Sequence, residues 1–245
     1  TVIGQAVSNL YQKTGFSVVR DNHLGDWGTQ FGSLIYAVEQ WGEASDKKEG
    51  TEKSIGELKD LYVKFHKLAE NNPEIKEKAR AIFAQLEQGD SRLLGIWKKF
   101  RDLSISDFDK TYQKLGVSFD TYVGESYFND GTDRVIEDCF AKGLCKKDTE
   151  TGAVVVDSLE GIPSFLLQKQ DGSSLYATRD LAALRFRMEM FKPDLISYVV
   201  GSEQSLYFKQ LFELGRAMNY LPPEVDVRHI DFGMVLRDGK KMSTR

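Results

Sequence analysis

The chain has 245 residues, with 41% hydrophobic and 29% charged side chains. That is the balance of a folded globular protein of about one to two domains, and it excludes collagen-like, low-complexity and mostly disordered chains. Lysine and arginine number 33 against 37 aspartate and glutamate, a net charge of −4 with a pI near 5.6. A uniformly basic nucleic-acid coat is thereby excluded, although a local basic patch is compatible with it.

Cys139 and Cys145 are the two cysteines, and their spacing fits no common zinc or redox pattern. Free thiols in a reducing compartment are expected. The longest apolar runs, around Ile196–Val200 and Ala153–Val156, are strand-length, far below the roughly 20 residues of a membrane span. With no signal peptide pattern at the start, the cytoplasm is the expected location, with no membrane partner. The chain opens without Met and stops in loop-like sequence, which suggests a piece of a larger enzyme.

In chain order, Ile3, Val7, Leu10 and Tyr11 share a helical face, with Gly15 at the position of a left-handed cap. Phe16–Arg20 reads as a buried strand, Asn22–Gly28 as a polar turn, and a helix follows through Phe31, Leu34, Ile35, Val38 and Trp41. From about Glu43 lysine and glutamate become dense and β-branched residues rare. Three helices are predicted here: through Leu58–Leu68, from Pro73 to near Gly89, and from Ser91 through Phe100. Their charged faces are read as solvated, His66 included. A basic patch of Lys64, Lys67, Lys98 and Lys99 is the alternative.

Ala153–Val156 and Ser164–Gln168 read as strands, and Thr178 as the cap of a helix that ends at Pro193. Strand Leu195–Val200, a helix through Leu206–Met218 and strand Val225–His229 complete an alternation of strand and helix. That order implies a parallel sheet with crossover helices, an α/β fold. The expected division is 1–42, 43–151 and 152–245: a first core segment, a mainly helical insertion and a second core segment.

Ligands of open parallel sheets bind beyond the carboxyl ends of the strands. Gly201, after an apolar strand, lets a ligand approach the backbone, and Glu203 has a carboxylate suited to vicinal ribose hydroxyls. A plain turn with Glu203 as a helix-start charge explains the same residues. Tyr176 and Asp180, four apart, suit a guanidinium or ammonium group. A Thr178 cap with Asp180 in the first turn is the plainer account. The segment Arg237–Arg245 has the charge and the glycine of a polyphosphate-binding loop, or is simply an exposed basic loop. No histidine, cysteine and carboxylate set has metal-ligand spacing, so no zinc is expected. No Gly-x-Gly-x-x-Gly follows a strand, which argues against a dinucleotide-dependent dehydrogenase.

Five segments occur in a telling order. They are Asn22-His23-Leu24-Gly25-Asp26-Trp27-Gly28-Thr29-Gln30-Phe31-Gly32, Tyr176-Ala177-Thr178-Arg179-Asp180, Val200-Gly201-Ser202-Glu203-Gln204, His229-Ile230-Asp231-Phe232-Gly233-Met234-Val235 and Lys241-Met242-Ser243-Thr244-Arg245. Together they resemble the catalytic domain of the arginyl-tRNA synthetases, class I aminoacyl-tRNA synthetases. The resemblance covers almost the whole chain, more loosely in the helical insertion.

It implies a Rossmann-type core split by a connective insertion, and a two-step reaction. Arginine and ATP give arginyl-adenylate and pyrophosphate, and arginine then passes to the terminal ribose of tRNA(Arg). ATP, with Mg2+, is the implied nucleotide; arginine and tRNA(Arg) are the other partners, and DNA is not one. Tyr176, Asp180 and Gln204 match the arginine pocket. Gly201, Glu203, His229, Gly233, Met234 and Val235 match the ATP site, with Glu203 where class I usually has Asp. Lys240, Lys241, Ser243 and Arg245 match the catalytic signature loop, although Thr244 stands where a second lysine is usual. Asn22, His23, Gly25, Asp26, Trp27 and Gln30 match a loop near the site. The family's His-x-Gly-His run, just before the position of Thr1, and its anticodon-binding domain are not in these residues. The 245 residues alone are therefore expected to be inactive or nearly so. A non-catalytic relative that binds arginine or tRNA is the alternative, and a different nucleotidyl transferase is a third reading.

Overall fold

The computed structural model describes residues 1–42, 55–159, 161–170, 172–234, 236–237 and 239–241. They form two compact units, one from residues 3–24 and 121–241 and one from 25–120. These units divide at positions other than the composition shift at Glu43 and the expected boundary at 151. The reason is packing. The helix after the polar turn shares a core with the charged helices, and the chain from Thr121 onward joins the strand-bearing unit.

The 25–120 unit is helical: α2 (Thr29–Trp41), α3 (Ile55–Ala69), α4 (Pro73–Glu87) and α5 (Ser91–Leu115). Pro73 opens α4, where its missing N–H is no loss, and the Asn72 side chain accepts from the Glu74 amide. Asp90 caps α5 in the same way by accepting from Leu93 N, 2.9 Å away. Trp27, Ile35, Leu58, Phe83, Leu86, Leu93 and Phe100 form one core cluster, and Tyr36, Ala37, Phe65, Ala69 and Ala79 a second. His66 is not simply solvated as expected. Its ring packs edge-on against Tyr62 at 4.4 Å and against Phe65, because it lies one turn on from the first and beside the second.

The other unit begins with α1 (Val2–Lys13), closed by Thr14 with Gly15 at φ 95°, the left-handed backbone the sequence predicts there. Phe16–Arg20 is not a ladder strand. It is extended chain that reaches a single parallel bridge, Asp21 to Thr121, and Phe16 and Val19 stay exposed. A short β-rich run forms a strand only where a neighbour meets its backbone, and here only Arg20, Asp21 and Asn22 meet Thr121.

After α6 (Thr132–Ala141) come β1 (Cys145–Lys147), β2 (Val154–Val156) and β3 (Phe165–Gln168), paired antiparallel in the order β1-β2-β3. The strands after them are β4 (Leu195–Gly201) and β5 (Asp226–Phe232), paired parallel in register from Leu195–Asp226 to Gly201–Phe232. The predicted single parallel sheet is thus corrected. β3 closes an antiparallel meander, and among the described strands β4 and β5 form the parallel ladder. Helix α7 (Tyr176–Phe191) leads into β4, and α8 (Ser205–Ala217) makes the crossover from β4 to β5. Val135, Cys139, Val156, Leu167, Leu181, Leu211, Leu214 and Met218 centre this unit's core. The two thiols are free and buried, and burial first, then their mutual contact, pushes the Cys139 thiol far up. Among the described residues no helix is long and apolar enough to cross a membrane.

Candidate functional site

Helix α7 buries two arginines beside its apolar residues: Ala177, Thr178, Arg179, Leu181, Ala183, Leu184 and Arg187 are all covered. The helix starts at Tyr176 rather than after Thr178, so the expected cap is corrected. Thr178 lies inside the first turn, and its buried hydroxyl donates to the Leu167 carbonyl of β3. Asp180 consequently lies beyond the first turn, where dipole complementation is weak. A helix-start charge does not explain it.

The surroundings of Asp180 are specific. Tyr207 of α8 donates its hydroxyl to Oδ2, and His23 Nε2 stands 3.2 Å from Oδ1. Burial, then the Asp180 charge, holds the Tyr207 phenol well above its ordinary range, so it remains a donor. Tyr176 does not take that place. Its ring meets Tyr207 edge-on, 4.8 Å between centroids, and is 54% exposed at the rim. Glu125 belongs to the same neighbourhood. Burial raises its pKa, Arg179 lowers it, and the Asp180 charge raises it again. Arg179 holds Glu125 through Nε at 3.0 Å and the Ser174 hydroxyl through Nη1 at 2.8 Å.

At the carboxyl end of β4, Gly201 runs into a short 3-10 turn, Ser202–Gln204, before α8. The Glu203 carboxylate folds over Gly201 so closely that a Cβ there would meet Oε2 at 2.4 Å. Gln204 is exposed at the head of α8, one turn before Tyr207. His229, beside Tyr198 in the ladder, directs Nε2 to the Val200 carbonyl at 3.0 Å and stacks on Phe208 at 4.5 Å. Since a carbonyl only accepts, Nε2 is the protonated nitrogen. Gly233 and Met234 follow β5 and are exposed.

The expected cationic loop is partly a hairpin. β6 (Leu236–Arg237) pairs with β7 (Lys240–Lys241) around Gly239 at φ 73°. A left-handed glycine between two short extended segments closes such a turn. Val235, Ser243 and Arg245 lie outside the described residues.

The polar turn is divided between the units. Asn22 and His23 belong with Asp180's unit, where the Asn22 amide donates to the Thr121 carbonyl. Gly25, Asp26, Trp27 and Gln30 belong to the helical unit. There Arg101 Nε holds the buried Asp26 carboxylate at 2.9 Å, Trp97 donates to the Asp26 carbonyl, and Gln30 donates to the Trp27 carbonyl. Sequence reasoning missed Tyr207, Glu125, Asp21, Arg187 and Tyr198. One available signal is the spacing of Asp180 and Arg187, two helical turns apart on one face.

A part-buried carboxylate with Tyr207 at one oxygen and His23 at the other, in a unit that carries a parallel strand pair with a helical crossover, is the arrangement of an α/β protein with a candidate site on α7. Residues 1–245 match the family described as tRNA synthetases class I (R), catalytic domain. The chain is 46% identical to the arginine–tRNA ligase of Exiguobacterium sibiricum over its whole length, and spans 43% of that relative. It is 44% identical to the arginine–tRNA ligase of Levilactobacillus brevis, again spanning 43% of it. Among solved structures, the arginyl-tRNA synthetase of Plasmodium falciparum superposes with a TM-score of 0.80 at 26% identity, over 96% of this chain and 39% of that one. The Thermus thermophilus arginyl-tRNA synthetase superposes at 0.73 and 20% identity, over 99% and 46%, a likeness of fold. The chain belongs to the catalytic-domain family of the class I arginyl-tRNA synthetases.

Proposed function

We propose that this chain is the catalytic part of an arginine–tRNA ligase, acting in the cytoplasm. We read β4, α8 and β5 as part of a Rossmann-type core, and the 25–120 helices as belonging to the connective insertion. The arginine carboxylate attacks the α-phosphorus of ATP and pyrophosphate leaves. A ribose hydroxyl at the end of tRNA(Arg) then attacks the arginyl carbonyl and AMP leaves. The amino acid supplies its own nucleophile, so the protein's work is positioning and charge stabilisation.

The observation that carries this reading is Asp180. Its side chain is 17% exposed, and Tyr207 and His23 flank both its oxygens. Such a carboxylate retains a lone pair on each oxygen, the arrangement that accepts a guanidinium fork. Glu125 adds a second carboxylate nearby. Tyr176 and Gln204 complete the arginine pocket in this reading. Gly201, Glu203, His229, Gly233, Met234 and Val235 are assigned to ATP, and Lys240, Lys241 and Arg245 neutralise its phosphates while the Ser243 hydroxyl hydrogen-bonds them. Mg2+ arrives on the phosphates of ATP; no group of three or more potential ligands is found among the described residues.

The test is aminoacylation by the natural-length protein with total tRNA, ATP and each amino acid in turn. Arginine alone is charged. Asp180→Asn removes about 3–5 kcal/mol of binding, a loss of two orders of magnitude or more in kcat/KM. Folded protein that charges no amino acid overturns the ligase reading.

A further inference from the structure

Arg187 lies two turns after Asp180 on α7 and is buried, 8% exposed. Its guanidinium meets three groups. Nη2 and Nε stand 2.9 and 3.2 Å from Asp21 Oδ2, Nη1 stands 3.3 Å from the Tyr198 hydroxyl, and Nη2 stands 3.1 Å from His23 Nδ1. Burial works against the charge, yet Tyr198 and Asp21 outweigh it and the Arg187 pKa is raised. A guanidinium has donors only. The Nδ1 that faces it therefore accepts, and the single ring proton of His23 sits on Nε2. That atom is buried and lies 3.2 Å from Asp180 Oδ1, in contact but not aligned as a hydrogen bond.

We propose that Arg187 is a positioning residue: it fixes the His23 tautomer, and so keeps an N–H donor beside Oδ1 of Asp180 while Tyr207 donates to Oδ2. The carboxylate is steered from both sides and presents its remaining lone pairs in one orientation. The opposite tautomer fails twice. It turns a ring lone pair toward a carboxylate oxygen, and it sets Nδ1–H against the Arg187 N–H groups. Asp21 takes part by orienting Arg187, and the Thr121 hydroxyl donates to its other oxygen at 2.7 Å. The inference rests on the reading of Asp180 as the guanidinium partner.

The experiment is long-range 1H–15N correlation on the natural-length protein with 15N-labelled histidine, with the His23 signals assigned by their loss in His23→Gln. The expected spectrum has a protonated Nε2 and a pyridine-like Nδ1. A protonated Nδ1 in the wild-type protein overturns the proposal, whatever any variant does. Arg187→Met is expected to mix the tautomers and raise the KM for arginine roughly tenfold, with kcat within about twofold. Arg187→Lys, which retains a donor, restores the tautomer and most of the KM. Because Arg187→Met strands Asp21, the same measurements are made with Asp21→Asn combined. An unchanged tautomer in both overturns the proposal. Wild-type protein with the stated tautomer but no arginine binding refutes the proposed function instead, and the wrong tautomer with arginine bound refutes the role of Arg187 alone.

Discussion

Glu125 carries a burial cost that Arg179 offsets and Asp180 deepens, and the net result is a raised pKa. The sign of its contribution follows from linkage. Below the unfolded value the group is protonated in both states and contributes nothing. As pH rises from the unfolded value to the folded value, the unfolded chain ionises while the native carboxyl keeps its proton, so stability falls across that window and stays lower above it. Asp180→Asn removes a like charge, and the Glu125 pKa then moves down. Carboxyl 13C shifts followed against pH measure this directly; an unmoved Glu125 curve denies that the two carboxylates share a site. Thr178 allows a second test. Its hydroxyl donates to Leu167 from a fully buried position. Thr178→Val conserves shape and leaves that carbonyl without the donor, so urea unfolding should show a loss of about 1–3 kcal/mol. The sequence shows Thr178 near a helix start, and so reads as a cap. What it does not show is that the helix begins three residues earlier and that β3 supplies an acceptor. Asp180 was legible through its motif. Tyr207, Arg187 and Asp21 were not, because each acts through a contact between elements far apart in the chain.

Helices α2 and α4 approach closely at Gly32. A Cβ there would stand 2.2 Å from the Ala79 carbonyl oxygen and 2.8 Å from the Phe83 Cβ. Backbone cannot swing away as a long side chain does, so Gly32→Ala forces the helices apart. A loss of about 1–3 kcal/mol is expected from such overpacking. Gly95 in α5 is the control, since a Cβ there meets nothing within 4 Å. Gly95→Ala should stabilise by about 0.5–1 kcal/mol through helix propensity alone. Denaturant melts of the two variants should shift in opposite directions; a shared direction would sink the packing account. Elements with strong local signals were readable in advance. Asn72 and Pro73 mark the start of α4, Gly15 the turn after α1, and the apolar run to Val200 marks β4. Pairing was not readable. Whether Phe165–Gln168 joins β4 or closes the β1–β3 meander depends on which edge it meets, and the alternation of strand and helix is the same for either.

Each core cluster draws its residues from a single unit: Leu181, Leu211, Leu214 and Met218 in one, Trp27, Phe83, Leu86 and Leu93 in the other. Composition marks the lysine- and glutamate-rich helices but does not show which neighbours share their core. α2 has the ordinary composition of a core helix, and its partners α3 and α4 lie beyond residue 54. The family motif crosses the boundary too, with His23 on one side and Asp26 on the other. Separate cores predict separate responses to damage, since cooperative units open according to the contacts they contain. Leu211 is 2% exposed in α8, and Leu211→Ala should cost about 2–5 kcal/mol of local stability. Hydrogen exchange read by mass spectrometry should then show faster exchange in α7, α8, β4 and β5, with α2 and α4 unchanged. Gly32→Ala should give the reverse pattern. Uniform loss of protection in both variants would mean that the two cores open as one cooperative body. Damage in the helices would then be expected to reach the Asp180 carboxylate, whereas under separate opening Gly32→Ala leaves the KM for the proposed substrate, arginine, where it was.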